Sequence, residues 1–251
     1  MTRFSTLYQV VTSMFIEKYF NESADGLINF TRQQASNFAK KVADDFNPLH
    51  NVDAKRFCVP GDLLFSIILA KSGLHQQMSF IFSGMVSDNL PLIFPTAITE
   101  KATVVDENHK EYLQIKVSGD QSNNDALIES LTKAYVEFSG HTFPHILVKL
   151  MAKNKVMINP NRPMIMYQSM SIDMYRFDIN NISLRLAQTS LSIDGKRGDA
   201  WLAFDLLSGD EVIGQGKKHM LLSGLREYCQ DTINVVVEQY NHSKAKYSAL
   251  V

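Results

Sequence analysis

Val42-Ala-Asp-Asp-Phe-Asn-Pro-Leu-His50 is the segment whose residue types could do chemistry. A carboxylate, Asp45, and an imidazole, His50, stand five positions apart around Asn47-Pro48. Pro48 lacks a backbone donor and fixes its own φ, while Asn47 can bond nearby backbone, so the turn can face Asp45 and His50 onto one small volume. An acid and a base around one water is the equipment that reversible hydration of a double bond requires. The plainer arrangement, with His50 a loop side chain and Asp45 a helix-end carboxylate, fits the same spacing. Other chemistries lack their residues. There is no Gly-x-Ser-x-Gly elbow, and His141 and His145 have no Cys or carboxylate set beside them, so no metal site is expected. Cys58 reads as a small buried residue, since no activating neighbour for a thiolate is visible.

The elements around this segment follow from capping and period. Thr31-Arg-Gln-Gln34 is a capping box, and Ala35, Phe38, Ala39, Val42 and Ala43 recur at helical spacing. A helix is therefore predicted from Thr31 to about Asp44. Pro60-Gly61-Asp62 opens an apolar run, Leu63 to Leu69, of the length and composition of a buried helix. Strands are predicted at 79–87, 97–106, 112–118 and 126–138 from their Val, Ile, Phe and Tyr content and the turn formers between them. After a crossover at 141–163, strands are predicted again at 164–177, 182–193, 200–207 and 212–222, and a helix at 226–241. The order is that of an α+β layer, a sheet wrapped around a helix, with a second unit that repeats the meander without an obvious helix. Phe4, Leu7, Tyr8, Val11, Phe15 and Tyr19 predict a docking helix ahead of these units.

Composition excludes more than it assigns. The chain has 251 residues, 45% of them apolar, enough to bury a core and too apolar for disorder. With 25 basic and 26 acidic residues there is no charge excess to bind nucleic acid. No run of eighteen apolar residues exists, so no membrane span is predicted. Two cysteines without metal-type spacing suit a reducing compartment, and a cytoplasmic location is the expectation. The charge is uneven along the chain: 12 basic and 16 acidic residues precede Gly140, and 13 and 10 follow it.

Asp45-Phe-Asn-Pro-Leu-His50, with Ala54 four positions on, resembles the signature of the MaoC-like, R-specific enoyl-CoA hydratases. That resemblance covers roughly residues 27–138 and implies a hotdog fold, here a double hotdog with a degenerate second unit. Its units would be 1–25 (docking helix), 26–140 (the unit with the dyad), 141–163 (crossover) and 164–251 (second unit with the C-terminal helix). It also implies a hydratase or dehydratase acting on 2-enoyl and (3R)-hydroxyacyl thioesters of CoA or acyl carrier protein. Asp45 and His50 would be the catalytic dyad, Asn47 would hold the loop, and backbone N–H groups at the start of the central helix would form the oxyanion hole. The family's His-Gly pair at that helix start is absent, which leaves Gly61, or Ser66 on the same helix, for the role. Asp44 stands where the family carries glycine. Lys217, Lys218 and Arg226, in the basic half, are candidate contacts for the phosphates of the CoA or carrier-protein arm. No metal or redox cofactor is implied, and the unit pairing would be an intrachain pseudo-dimer or a homodimer. Two other readings of the residues stay open: a hotdog thioesterase in which Asp45 activates water against the thioester carbonyl, and a non-catalytic acyl-thioester-binding protein.

Overall fold

The computed structural model describes residues 15–249. The docking helix predicted over the first twenty residues lies mostly outside them, and only a 3-10 turn, Phe15–Tyr19, falls within. Two short strands, β1 (Asn21–Glu22) and β2 (Ile28–Asn29), precede α1 (Arg32–Lys41). Thr31 and Gln34 form the predicted capping box in both directions. The helix ends three residues before the predicted Asp44, which adopts a left-handed φ of 52° that helical backbone does not allow.

A second 3-10 turn, Pro48–His50, leads to α2 (Gly61–Ser72), buried nearly all round as its sequence predicts. Then come β3 (Leu74–Phe82), β4 (Leu92–Ile93), β5 (Lys101–Asp106) and β6 (Glu111–Ser122). The segment predicted as a strand at 126–138 is a helix, α3 (Asp125–Gly140). Asn124 caps it by accepting from the Leu127 N–H, and Leu127, Ile128, Leu131, Tyr135 and Val136 are buried at a period of three to four. The second half holds α4 (Leu147–Lys153), β7 (Val156–Met157), β8 (Ile165–Met174), β9 (Ser183–Asp194), β10 (Arg197–Ser208), β11 (Glu211–Ser223), β12 (Arg226–Glu227) and α5 (Gln230–Ser248).

All the strands but β7 and β12 join into one ten-stranded antiparallel sheet, ordered β1-β2-β4-β5-β6-β3-β8-β11-β10-β9. Its halves meet where β3 pairs with β8, from Gln77 opposite Asp173 to Ile81 opposite Ser169. This corrects the expected fold. The α+β class stands, but the double hotdog, with a sheet wrapped around one central helix and a helixless second unit, does not. A single continuous sheet carries α2 and α3 together on one face. Phe65 of α2 packs edge-on against Phe80 of β3 at 5.2 Å, and Tyr135 of α3 meets both Phe65, at 5.0 Å, and Phe204 of β10, at 5.6 Å. The difference lies at 125–140: with that segment helical, the meander before the crossover is one strand shorter, and β3 pairs with β8. No helix among the described residues is long and apolar enough to cross a membrane.

Candidate functional site

The turn after α1 is held by its own side chains. The Asn47 N–H donates to Asp45 Oδ1 at 2.9 Å, and Asn47 Oδ1 accepts from the Leu49 N–H at 3.1 Å. These bonds leave Asp45 Oδ2 facing His50, whose Nε2 lies 3.7 Å away. The other ring nitrogen, Nδ1, is 2.7 Å from the Cys58 carbonyl oxygen. A carbonyl can only accept, so Nδ1 carries a proton and, in the neutral ring, Nε2 is the basic nitrogen turned to Asp45. The two side chains are 25% and 11% exposed, at the edge of the core rather than in open solvent.

Asp44 explains the departure from a glycine at that position. Its φ of 52° lies where glycine is favoured and Asp is among the better-tolerated alternatives. Its carboxylate pairs with Lys244 of α5 and with His141 Nε2, at 2.9 Å, just past α3. Tyr240, also on α5, brackets Asp45 from outside. The Tyr240 hydroxyl donates to the Asp44 carbonyl at 3.1 Å and accepts from the Phe46 N–H at 3.3 Å. Burial, reinforced by the nearby Asp45 and Asp44 charges, pushes that hydroxyl's pKa up, so it remains a donor at any ordinary pH. Tyr240→Phe removes both bonds. With each hydrogen bond contributing about 0.5–1.5 kcal/mol, denaturant unfolding is expected to shift by about 1–3 kcal/mol.

Beneath the pair lies a polar network inside the core. Asp62, in the first turn of α2, accepts from Ser139 Oγ at 2.5 Å, and Ser139 Oγ accepts from Lys218 Nζ at 2.5 Å. Lys218 also donates to the Ser139 carbonyl at 3.2 Å and to Thr142 Oγ1 at 3.4 Å, and sits 4.6 Å from the centre of the Tyr167 ring. Asp62, Ser139, Thr142 and Lys218 are all buried. The hydroxyls of Tyr135 and Tyr167 bond each other beside them. Burial raises the Asp62 pKa and lowers that of Lys218, in each case against the attraction of the other. Asp45 acts electrostatically on both groups, and His50 acts on Asp62.

The remaining candidates are placed as follows. Gly61 opens α2, and a Cβ there would meet Phe82 at 3.0 Å and Tyr167 at 3.2 Å, so two aromatic rings close over the helix start. Pro60 before it offers no side-chain cap. Ser66 is buried and its hydroxyl donates to the Asp62 carbonyl at 2.6 Å, within its own helix. Lys217 and Lys218 are neighbours on β11 and therefore point to opposite faces of the sheet. Lys217 is exposed on the outer face, whereas Lys218 is buried in the network just described. Arg226 lies on β12, in a separate two-stranded sheet with β7. Among the described residues no group of His, Cys, Asp and Glu could hold a metal ion. Spacing gave no functional role to Asp62, Ser139, Tyr167 or Tyr240.

Among solved structures the chain is similar to the tesB protein of Mycobacterium avium subs paratuberculosis, with a TM-score of 0.41 and 9% identity over 66% of this chain and 87% of that one. It is also similar to the acyl-CoA thioesterase II TesB2 of Mycobacterium marinum, with a TM-score of 0.39 and 7% identity over 86% and 99%. Likenesses this distant carry nothing about the reaction. The curated proteins gave no match. The MaoC-like resemblance of Asp45–His50 is corrected here, because the family model that matches the chain is a different one. A resemblance confined to a six-residue turn does not extend to a shared family. The match runs over residues 14–231, from before α1 to the start of α5, and the chain belongs to the family described as Protein of unknown function (DUF3581).

Proposed function

We propose that the chain hydrolyses acyl thioesters, with water as the nucleophile. The reading is carried by the 3.7 Å approach of Asp45 and His50, beside which the thiol and hydroxyls of Cys58, Ser66 and Ser139 are protonated or already bonded. Burial pushes the Cys58 thiol up to about 11, which keeps it protonated. The Ser66 and Ser139 hydroxyls are committed to Asp62. A water bonded to both Asp45 Oδ2 and His50 Nε2 would sit beside the pair at ordinary distances of about 2.8 Å.

Asp45 takes a proton from that water as its oxygen adds to the thioester carbonyl. The tetrahedral oxyanion is met by the uncapped N–H groups at the start of α2, Gly61 and Asp62, helped by the helix dipole. When the C–S bond breaks, the proton passes through His50 to the leaving sulfur, giving a free acid and a thiol. A thiolate, with a pKa of about 8.5, departs without a strong acid, so proton return through His50 is enough. Coenzyme A or a phosphopantetheine arm belongs to the substrate, and the step needs no metal or redox cofactor.

The test is thiol release from short- and long-chain acyl-CoA by the purified chain. Release is expected, and Asp45→Asn and His50→Ala should each slow it by about 10²–10⁴-fold. No thiol from any acyl-CoA overturns the reading, and so does an unchanged rate in both variants.

A further inference from the structure

We propose that two copies of this chain join through β9, edge to edge, into one twenty-stranded sheet. Strand β9 is the last strand of the sheet and has β10 on one side only among the described residues. It is twelve residues long, and exposed edges of that length are usually shortened, covered, bulged, or broken by Pro or Lys; β9 carries one bulge, at Ala187. Ser183–Asp194 contains neither Pro nor Lys. Its charged residues are Arg185, near one end, and Asp194, at the other.

The pairing with β10 fixes which way each β9 side chain points. Leu184, Leu186, Thr189, Leu191 and Ile193 stand opposite Leu206, Phe204, Leu202, Ala200 and Gly198, on the helix-bearing face. Arg185, Gln188, Ser190, Ser192 and Asp194 stand opposite Asp205, Ala203, Trp201, Asp199 and Arg197, on the outer face. A bulge at Ala187 lets Leu186 and Thr189 share a face although three residues apart.

Counted through that bulge, the strand is complementary to itself about a two-fold axis at Ser190. Arg185 of one copy falls opposite Asp194 of the other, Leu186 opposite Ile193, and Thr189 opposite Leu191. Every such pair shares a face, as antiparallel pairing demands. Leu186 and Ile193, each 39% exposed in the single chain, cover one another. Arg185 already bonds Asp205 at 2.7 Å on its own chain and would lie between two carboxylates. A closed two-fold contact uses the same patch twice and leaves no further edge to propagate from β9.

The test uses the full chain with Cys229→Ser, which removes the exposed native thiol. Sedimentation at about 100 µM, where a dimer with a Kd of about 1 µM is almost fully formed, is expected to give twice the chain mass. Ser190→Cys in that background should cross-link to its own copy under mild oxidation, and Ser183→Cys, at the end of the strand, should not. A monomer overturns the proposal. A dimer in which Ser190→Cys cross-links no faster than Ser183→Cys also overturns it, because the interface then lies elsewhere.

Discussion

Lys218→Met is expected to destabilise the protein by about 3–5 kcal/mol, although methionine fits the space of the lysine stem. The loss comes from what stays behind. Asp62 keeps its Ser139 bond but loses the opposing charge that offsets its burial, and breaking one side of a buried pair typically costs that much. The double variant Asp62→Asn, Lys218→Met removes both charges and should recover most of the deficit, since replacing a buried pair whole is often close to neutral. Urea denaturation of the two singles and the double closes the cycle. Independent effects, with the double as unstable as the sum, would mean that the two groups do not interact through Ser139.

The second large effect is at Gly140, where α3 ends. A Cβ there would lie 1.7 Å from the Ala43 carbonyl oxygen and 2.7 Å from its carbon, so backbone rather than a movable side chain is in the way. Gly140→Ala must therefore push α3 away from the residue two before Asp45. Overpacking of this kind costs about 1–3 kcal/mol. Thiol release is expected to fall further than stability, because the displaced segment carries Asp44 and Asp45. Equal stability and rate to the unaltered chain would mean that α3 does not set the position of the turn.

Local signals were legible in the sequence where one element announces itself. The Thr31–Gln34 box and the Pro60-Gly61-Asp62 opening are complete within a few residues, and both helices start where those signals stand. The four strands of the second half emerge close to their predicted bounds because Asp194-Gly195 and Ser208-Gly-Asp210 punctuate them. Segment 126–138 went astray because its Val, Tyr and Phe content suggests a strand while its period and its Asn124 cap specify a helix. One buried residue had left a readable trace. Along β11 the inward phase runs through Ile213, Gly216, Lys218, Met220 and Leu222, so alternation, with a slip near Gly214, places a lysine where the core should be. Nothing local says that its partners stand 79 and 76 positions back at Ser139 and Thr142, since a buried polar network is a property of the assembled sheet.

The clasp of Tyr240 and Lys244 on the turn also has a meaning in time. Tyr240 binds the Asp44 carbonyl across 196 positions of sequence, and a contact that distant closes only after the intervening chain has been ordered. During synthesis the Asp45–His50 turn emerges long before α5 exists to brace it. The site is thus completed last, by the helix furthest from it in sequence, and its readiness reports that the chain between the turn and α5 has folded.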